Sequence, residues 1–337
     1  MKTRVLVTGA SGPAALAFMK AAASRRLDFC AADADPYAAG LYLVPEERRA
    51  LLPVPTEPNF SETLLRVCKR LGVEVLVPTA DAELIPVAIE REQFEAAGIK
   101  LLLAPLSASV AAQDRFELMR TCRDVVPVPQ TRLFDARFEP TDDEFPLVLK
   151  ARRLSRGRPA RLVRDRRGLE REARGTHLVA QELLGGAEYA VDVLVGPAGL
   201  VAAVPRVQLR TEEGESVTSA TVQDEELQEM AKRVALRLGM EGIGTVTFRR
   251  DDQGTPKLTG FAPRVSSAMM LTVQSGVNMP RIWLKSVLDG TPMPQGPMPF
   301  SLVAMVRLFE NHEVDPSQIE QMERAAAAAL AASEAAE

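Results

Sequence analysis

Histidine occurs only twice in this 337-residue chain, at His177 and His312, and tryptophan once. Two isolated histidines cannot build a His-rich metal centre and argue against a Ser/His/Asp triad; each reads as a partly exposed surface residue. Cysteine is almost as scarce. Cys30, Cys68 and Cys122 form no CxxC pair and no disulfide framework, which points to a reducing cytoplasm and to small buried apolar side chains. No segment approaches the roughly 20 apolar residues of a membrane span. Met-Lys-Thr-Arg runs straight into the strand-like Val5-Leu6-Val7 with no stretch of signal-peptide character. A soluble, cytoplasmic protein without a membrane partner is the expectation. Charge excess is missing too: 41 Lys+Arg against 45 Asp+Glu give a net charge of -4, which excludes a generally basic nucleic-acid binder but not a local patch.

What is present is ordinary globular composition, 46% hydrophobic and 26% charged, in a chain long enough for about two lobes. The first hundred residues alternate strand and helix. Arg4–Thr8 is a β-branched run, followed by the turn Gly9-Ala10-Ser11-Gly12-Pro13 and an Ala/Leu-rich helix, with Pro13 suited to a first helical turn. A strand at 29–34 follows, then helix 61–71, strand 73–78, helix 82–97 and strand 99–103. Such alternation predicts a doubly wound parallel sheet. A helical bridge at 104–122 leads to the Pro-rich boundary Val126-Pro127-Val128-Pro129. Beyond it come strands at 146–150, 161–163, 178–183, 188–195 and 201–206, a loop near 212–215 and a helix at 224–238. A hairpin of 244–250 with 256–261, a helix near 279–288 and a strand near 302–306 complete the pattern. The Ala-rich end, 322–337, has good helix composition and no evident chemistry.

Several constellations carry a chemical reading beside a plain one. The turn after the first strand, with Asp33 or Asp35 downstream, passes for a loose dinucleotide loop but lacks the full G-x-G-x-x-G. Ten arginines between Lys150 and Arg174 suggest an anion-facing lobe or a solvated lid, without interleaved aromatics for base stacking. Thr79, Asp81 and Glu83 fall where a parallel sheet's carboxyl edge meets a cleft, and Arg206 follows Val204-Pro205 toward the same place; helix capping by Thr79 and Asp81 is the competing reading.

The order of these pieces resembles the ATP-grasp family, and within it the branch of the carbamoyl-phosphate-synthetase large chain. The matching stretches are 7–13, Asp33-Ala34-Asp35-Pro36, 78–84, 145–150, Gln181-Glu182 through Glu188-Tyr189 and Asp192, and Ala262-Pro263-Arg264 with 271–278. The resemblance implies an α/β and α+β architecture, with an N-terminal doubly wound pre-ATP-grasp domain followed by a two-lobed ATP-grasp domain. Its expected limits are 1–110 for the first domain, 111–185 for a linker helix and small basic lid lobe, 186–316 for the C-terminal lobe and 317–337 for the tail. It also implies ATP between the lobes and an acylphosphate route to a carboxylate–amine ligase. In that frame Lys150 and Arg115 meet phosphate, Glu182 to Leu184 form the adenine hinge, Glu188 meets the ribose, and Arg264 faces the transferring phosphate.

The departures from the pattern concern the metal. Relatives carry Glu-x-Asn-Pro-Arg where this chain has Gly260-Phe261-Ala262-Pro263-Arg264, so positions 260 and 262 have lost their ligand oxygens. Strand period places both on one face, opposite Thr245 and Thr247, and a hydroxyl is a poor substitute for a carboxylate on a hard cation. Asp251 and Asp252 are expected to point to solvent from the hairpin turn. The phosphate loop is altered as well. Leu154 and Arg156 stand at usual glycine positions, and Pro159 removes a donor N–H. The sequence therefore predicts a catalytically impaired homologue, pseudoenzyme-like, that binds a nucleotide or small anion through Lys150, Arg115, Arg156, Arg158 and Arg264 with magnesium in doubt. A protein partner or homo-oligomer is admitted in that reading. An active ligase with different metal ligation is the alternative, and a polyanion-binding module the third reading.

Overall fold

A computed structural model describes residues 2–153, 160–212, 215–308 and 310–334. The first sheet is built from β1 (Thr3–Thr8), β2 (Leu27–Asp33), β3 (Arg49–Leu51), β4 (Val75–Val77) and β5 (Lys100–Leu101), all parallel, in the order β3-β2-β1-β4-β5. Short runs of Val, Leu and Ala that are apolar on both faces form it because helices cover both sides. The strand order reverses between β1 and β4, so the carboxyl ends of these two strands open the crevice where open α/β sheets receive ligands.

A second, antiparallel sheet follows: β6 (Thr131–Leu133), β7 (Leu147–Ala151), β8 (Arg161–Val163) and β9 (Leu178–Glu182), ordered β6-β9-β7-β8. Its core is its own, with Phe134, Phe138, Leu147, Leu149 and Val163 buried together. The third sheet contains β10 (Glu188–Gly196), β11 (Gly199–Glu212), β12 (Glu215–Thr221), β13 (Gly242–Arg250), β14 (Pro256–Ala262) and β15 (Ala304–Val306), ordered β14-β13-β10-β11-β12-β15. One face packs Val191, Val193, Val246, Phe248 and Phe261 against helix Glu225–Arg237 and the bridge helices. The inner end of the other face, Leu194, Val204 and Ile243, shares a core with Val5, Val7 and Phe18 of the first sheet and with Trp283. The first and third sheets are thus joined by buried apolar contact, while the second stands over the remaining face.

The architecture is the expected α/β and α+β arrangement, with local corrections. Helix 82–97 is two helices, Asp81–Ile89 and Arg91–Ala96. The bridge also divides, into Leu106–Gln113 and Arg115–Cys122, because Asp114 accepts the amides of Phe116 and Glu117 and so starts a new helix. Strands β3, β6 and β12 were not anticipated; β12 occupies sequence read as following a loop. The Ala-rich end forms helix Pro316–Glu334 and docks on the first domain. Arg49 donates to Gln318 (2.8 Å), Tyr37 donates to Glu323 (2.6 Å), and Met322 is buried. The three cysteines are buried and free, with burial pushing the Cys68 thiol up to about 12. No helix among the described residues is long and apolar enough to cross a membrane.

Gly242 opens β13 at φ +91°, and a Cβ there would lie 2.3 Å from Trp283 Cζ2. Gly242→Ala should therefore lower stability by roughly 2 kcal/mol or more, through overpacking and a conformation that alanine resists. Urea unfolding followed by the fluorescence of Trp283 measures it, and an unchanged midpoint would mean that the indole moves aside.

Candidate functional site

Antiparallel pairing aligns side chains across the third sheet. Glu188 faces Arg249, Ala190 faces Thr247, and Asp192 faces Thr245; across the next ladder Thr247 faces Gly260 and Thr245 faces Ala262. Arg206 lies opposite Ala190 on the other side of β10. One face therefore carries three rows: Asp192-Thr245-Ala262 innermost, then Arg206-Ala190-Thr247-Gly260, then Glu188-Arg249. The second sheet covers the outer rows and brings Lys150 at the end of β7 above them.

Between the sheets lies a cavity of about 260 Å³ lined by Arg115, Lys150, Ala151, Ala160, Glu188, Thr247, Thr259 and Gly260. Arg115 reaches it because the start of its helix is tied to β7. Its amide donates to Arg152 O (2.8 Å), its guanidinium to Ala151 O (2.7 Å), and Arg152 pairs with Asp114 (2.8 Å). Lys150 Nζ donates to Gln181 Oε1 (2.7 Å), and Gln181 in turn donates to Thr131 Oγ1 (2.9 Å). Burial lowers the Lys150 ammonium to about 8, helped by Arg115 and Arg249 and opposed by Glu188. Burial also lowers Arg115. Glu188 accepts from Arg249 (2.8 Å) and from Gln208 (2.5 Å). Two cations without an ion-pair partner among the described residues, beside one neutralised Glu–Arg pair, make this a place for an anion.

The remaining residues named from the sequence fall elsewhere. Glu182 is held by Lys257 (2.5 Å) and by the amide of Gln130 (3.0 Å), and Leu184 is buried beside it. Arg264 clasps Asp81 with two bonds, Nε–Oδ1 2.5 Å and Nη2–Oδ2 2.8 Å, joining the crevice at β4 to the end of β14. The capping reading for Thr79 and Asp81 is corrected: Ala80 is the N-cap, Thr79 donates to Thr8 O (2.7 Å), and Glu83 accepts both the Ala80 amide (3.3 Å) and Thr8 Oγ1 (2.7 Å). Glu83 is sealed from solvent, and burial pushes its carboxyl up to about 7 against those hydrogen bonds. Asp33 spends both oxygens on the amides of Ser11 and Asp35, which removes one of the two ribose acceptors named for the dinucleotide reading; the other, Asp35, is exposed and accepts the Tyr37 amide (2.9 Å). Arg156 and Arg158, with Leu154 and Pro159, lie outside the described residues. Arg249 and Gln181 carry contacts that sequence reasoning did not single out; Arg249 was findable as the next same-face position after Thr247.

Magnesium fits this face poorly. Positions 247, 260 and 262 offer one hydroxyl and no carboxylate, whereas the ion is normally held by one or two carboxylates beside substrate phosphates. Asp192 does not substitute. It accepts from Thr245 (2.8 Å), Thr272 (2.6 Å) and Ser266 (3.2 Å), and Arg206 Nη1 sits 2.7 Å away. That Arg206 contact is an ion pair by distance but not a directed hydrogen bond, and Arg206 Nε has no acceptor among the described residues. The pair stands because charge attraction is not directional. Asp251, expected in solvent, is instead tucked under the turn, accepting from Gln253 and Thr255 amides and 3.5 Å from Lys257. Among the described residues no group of three or more His, Cys, Asp or Glu is placed to hold a metal. Room is not the obstacle: a Cβ on Gly260 would meet only Thr247, at 3.8 Å.

Residues 174–311 match a family described as ATP-grasp in the biosynthetic pathway with Ter operon, and residues 5–102 match the PylC-like N-terminal domain. No curated protein matches significantly. Among solved structures the chain is similar to Rhizobium etli pyruvate carboxylase, with 19% identity and a TM-score of 0.70 over 86% of this chain but only 29% of that one. Biotin carboxylase from Campylobacter jejuni, solved as a β,γ-ATP complex, gives 17% identity and a TM-score of 0.70 over 88% of this chain and 72% of that one. An L-amino acid ligase from Bacillus licheniformis gives 17% identity and a TM-score of 0.66 over 86% and 74%. At such identities the likeness establishes the fold.

Lys150 yields a stability prediction. Its folded value, about 8, lies below the ordinary 10.5, so the unfolded chain binds more protons between these limits and stability rises with pH across them. Below pH 8 the full cost of burying the ammonium is present. Lys150→Met should then stabilise the protein by about 1–3 kcal/mol at pH 7, a gain that fades toward pH 10.5. Denaturant midpoints at three pH values measure it; a pH-independent effect would assign the change to packing alone.

Proposed function

For a chain that belongs to the ATP-grasp proteins and opens with a PylC-like N-terminal domain, we propose nucleotide binding between the lobes with magnesium-dependent ligase chemistry impaired. The observation that carries this is the middle row of the third sheet, where Thr247 and Gly260 face the cavity without a carboxylate. Phosphoryl transfer depends on neutralising charge at the triphosphate, and among the described residues the row that would meet the cation offers no carboxylate. What remains is suited to holding a phosphate: Lys150 and Arg115 in the cavity, with the carboxylate of Glu188 at its rim.

The second reading, an ATP-dependent carboxylate–amine ligase with other metal ligation, is favoured by the retention of Lys150, Glu188 and Arg264 and by the similarity to an L-amino acid ligase. The polyanion reading has less support. Three of the small-lobe arginines are paired with acids, Arg161 with Glu172, Arg166 with Asp142 (3.1 Å) and Arg174 with Glu139 (3.4 Å).

Release of ADP and phosphate with a panel of amino-acid and carboxylate acceptors separates the first two readings. We expect no acceptor-dependent release above background with or without magnesium; acceptor-dependent turnover would establish the ligase. The repaired variant Thr247→Gln, Gly260→Glu, Ala262→Asn should gain magnesium-dependent nucleotide affinity of tenfold or more, about 1.4 kcal/mol. Its turnover should stay low, because the sequence at Leu154, Arg156 and Pro159 is unchanged. Full activity in that variant would show the metal strand to be the sole defect.

A further inference from the structure

We infer that the Lys150 cavity takes the terminal phosphate of a nucleoside mono- or diphosphate without any divalent cation, an inference that rests on the nucleotide-binding reading above. Charge selects the class. A terminal phosphate carries about -1.5 to -2 near pH 7. Among the described residues the cavity opposes it with Lys150 and Arg115, while Arg249 and Glu188 cancel each other. Two positive charges match one such group. Counted whole, a metal-free monophosphate brings about two negative charges, a diphosphate about three and a triphosphate about four, so the unopposed charge grows from none to about one and then about two along the series. A magnesium–triphosphate has a similar net charge, but its dication would find no carboxylate at positions 247, 260 or 262 to complete its coordination. The cavity's volume, about 260 Å³, also lies below the roughly 300–1,000 Å³ usual for small-molecule pockets, consistent with one phosphate end rather than a whole metal–triphosphate assembly.

The geometry suits an oxyanion. Arg115 spends one Nη on Ala151 O, and its fork can meet two phosphate oxygens. Lys150 spends one of its three protons on Gln181 and retains two donors. Gly260 leaves the opposite wall open where relatives carry a glutamate. Binding is then linked to protons. The groups facing Lys150 are Gln181 from β9, Arg115 from the linker helix, Arg249 from β13 and Glu188 from β10, and they hold its ammonium near 8. The phosphate is a dianion only above about pH 6. Affinity should therefore be greatest between these two limits. Above pH 8, binding must draw a proton onto Lys150, and affinity falls.

Calorimetry with the full chain tests this, titrating AMP, ADP, ATP, inorganic phosphate and pyrophosphate in chelator and again in excess magnesium. AMP or ADP should bind at least tenfold more tightly than ATP in chelator, and magnesium should leave their affinity unchanged or weaken it. At pH 8.5, heats measured in two buffers of different ionisation enthalpy should show net proton uptake. Lys150→Met should bind AMP and ADP at least tenfold more weakly and lose the uptake, while Arg115→Lys, which keeps the charge, retains it. Tighter binding of ATP with magnesium than of metal-free ADP overturns the inference and leaves the nucleotide reading intact. Phosphate and pyrophosphate binding as tightly as the nucleotides would keep the metal-free anion site and overturn the nucleotide reading. No binding of any probe removes both.

Discussion

The antiparallel register of β10, β13 and β14 decides what the cleft can hold. Because Ala190, Thr247 and Gly260 stand in one row and Asp192, Thr245 and Ala262 in the next, the cleft face inherits its chemistry from every second residue of three strands. A slip of one residue would exchange that face for Val191, Val246 and Phe261, which fill the core beneath. Burial of the apolar set on one side therefore fixes the polar set on the other. The absence of a carboxylate at 247, 260 and 262 cannot be relieved by sliding a strand.

The elements around that face differ in how firmly they are held. The first and third sheets share a continuous apolar core through Val5, Val7, Leu194, Val204 and Ile243, and Arg264 with Asp81 adds a two-bond ion pair at the edge of the same contact. The second sheet has a separate core and meets the bridge helix through Asp114, Arg115 and Arg152. The floor of the cleft is thus set by packing. Its roof, with Lys150, is set by polar contacts at one end of a helix and by Lys257 of β14 reaching Glu182 of β9.

Strand and helix order was legible because periodicity and turn residues are local, and the resemblance supplied the sequence of pieces. Lys150, Arg115, Glu188, Thr247 and Gly260 could be named in advance, since each belongs to a recognisable stretch. Arg249 was not named, although strand period puts it on the same face as Thr247; its importance depends on facing Glu188 across a ladder, and pairing is not written in either strand alone. Helix ends were misplaced for a related reason. Thr79 and Asp81 look like caps, yet a chain folded in three dimensions offered them Thr8 O and Arg264, and Glu83 took the capping bond instead. Asp251 shows the same competition: turn position suggested solvent, but two amides and Lys257 drew the carboxylate in.

The distribution of partners separates the arginines and lysines of the fold from those of the site. Several cations that serve structure here are given an acid: Arg152 has Asp114, Arg250 has Asp224, Lys257 has Glu182, Arg264 has Asp81; others, such as Arg4 and Arg49, tie down carbonyl and amide oxygens outside the cleft. Among the described residues Lys150 and Arg115 receive only neutral oxygens, from Gln181 and Ala151, although both are half-buried. Burying a cation without a counter-charge costs stability, and single-residue replacement would remove that cost easily. Such an arrangement is intelligible when an external anion completes it, since a ligand that binds only the folded state returns the stability that its site forgoes.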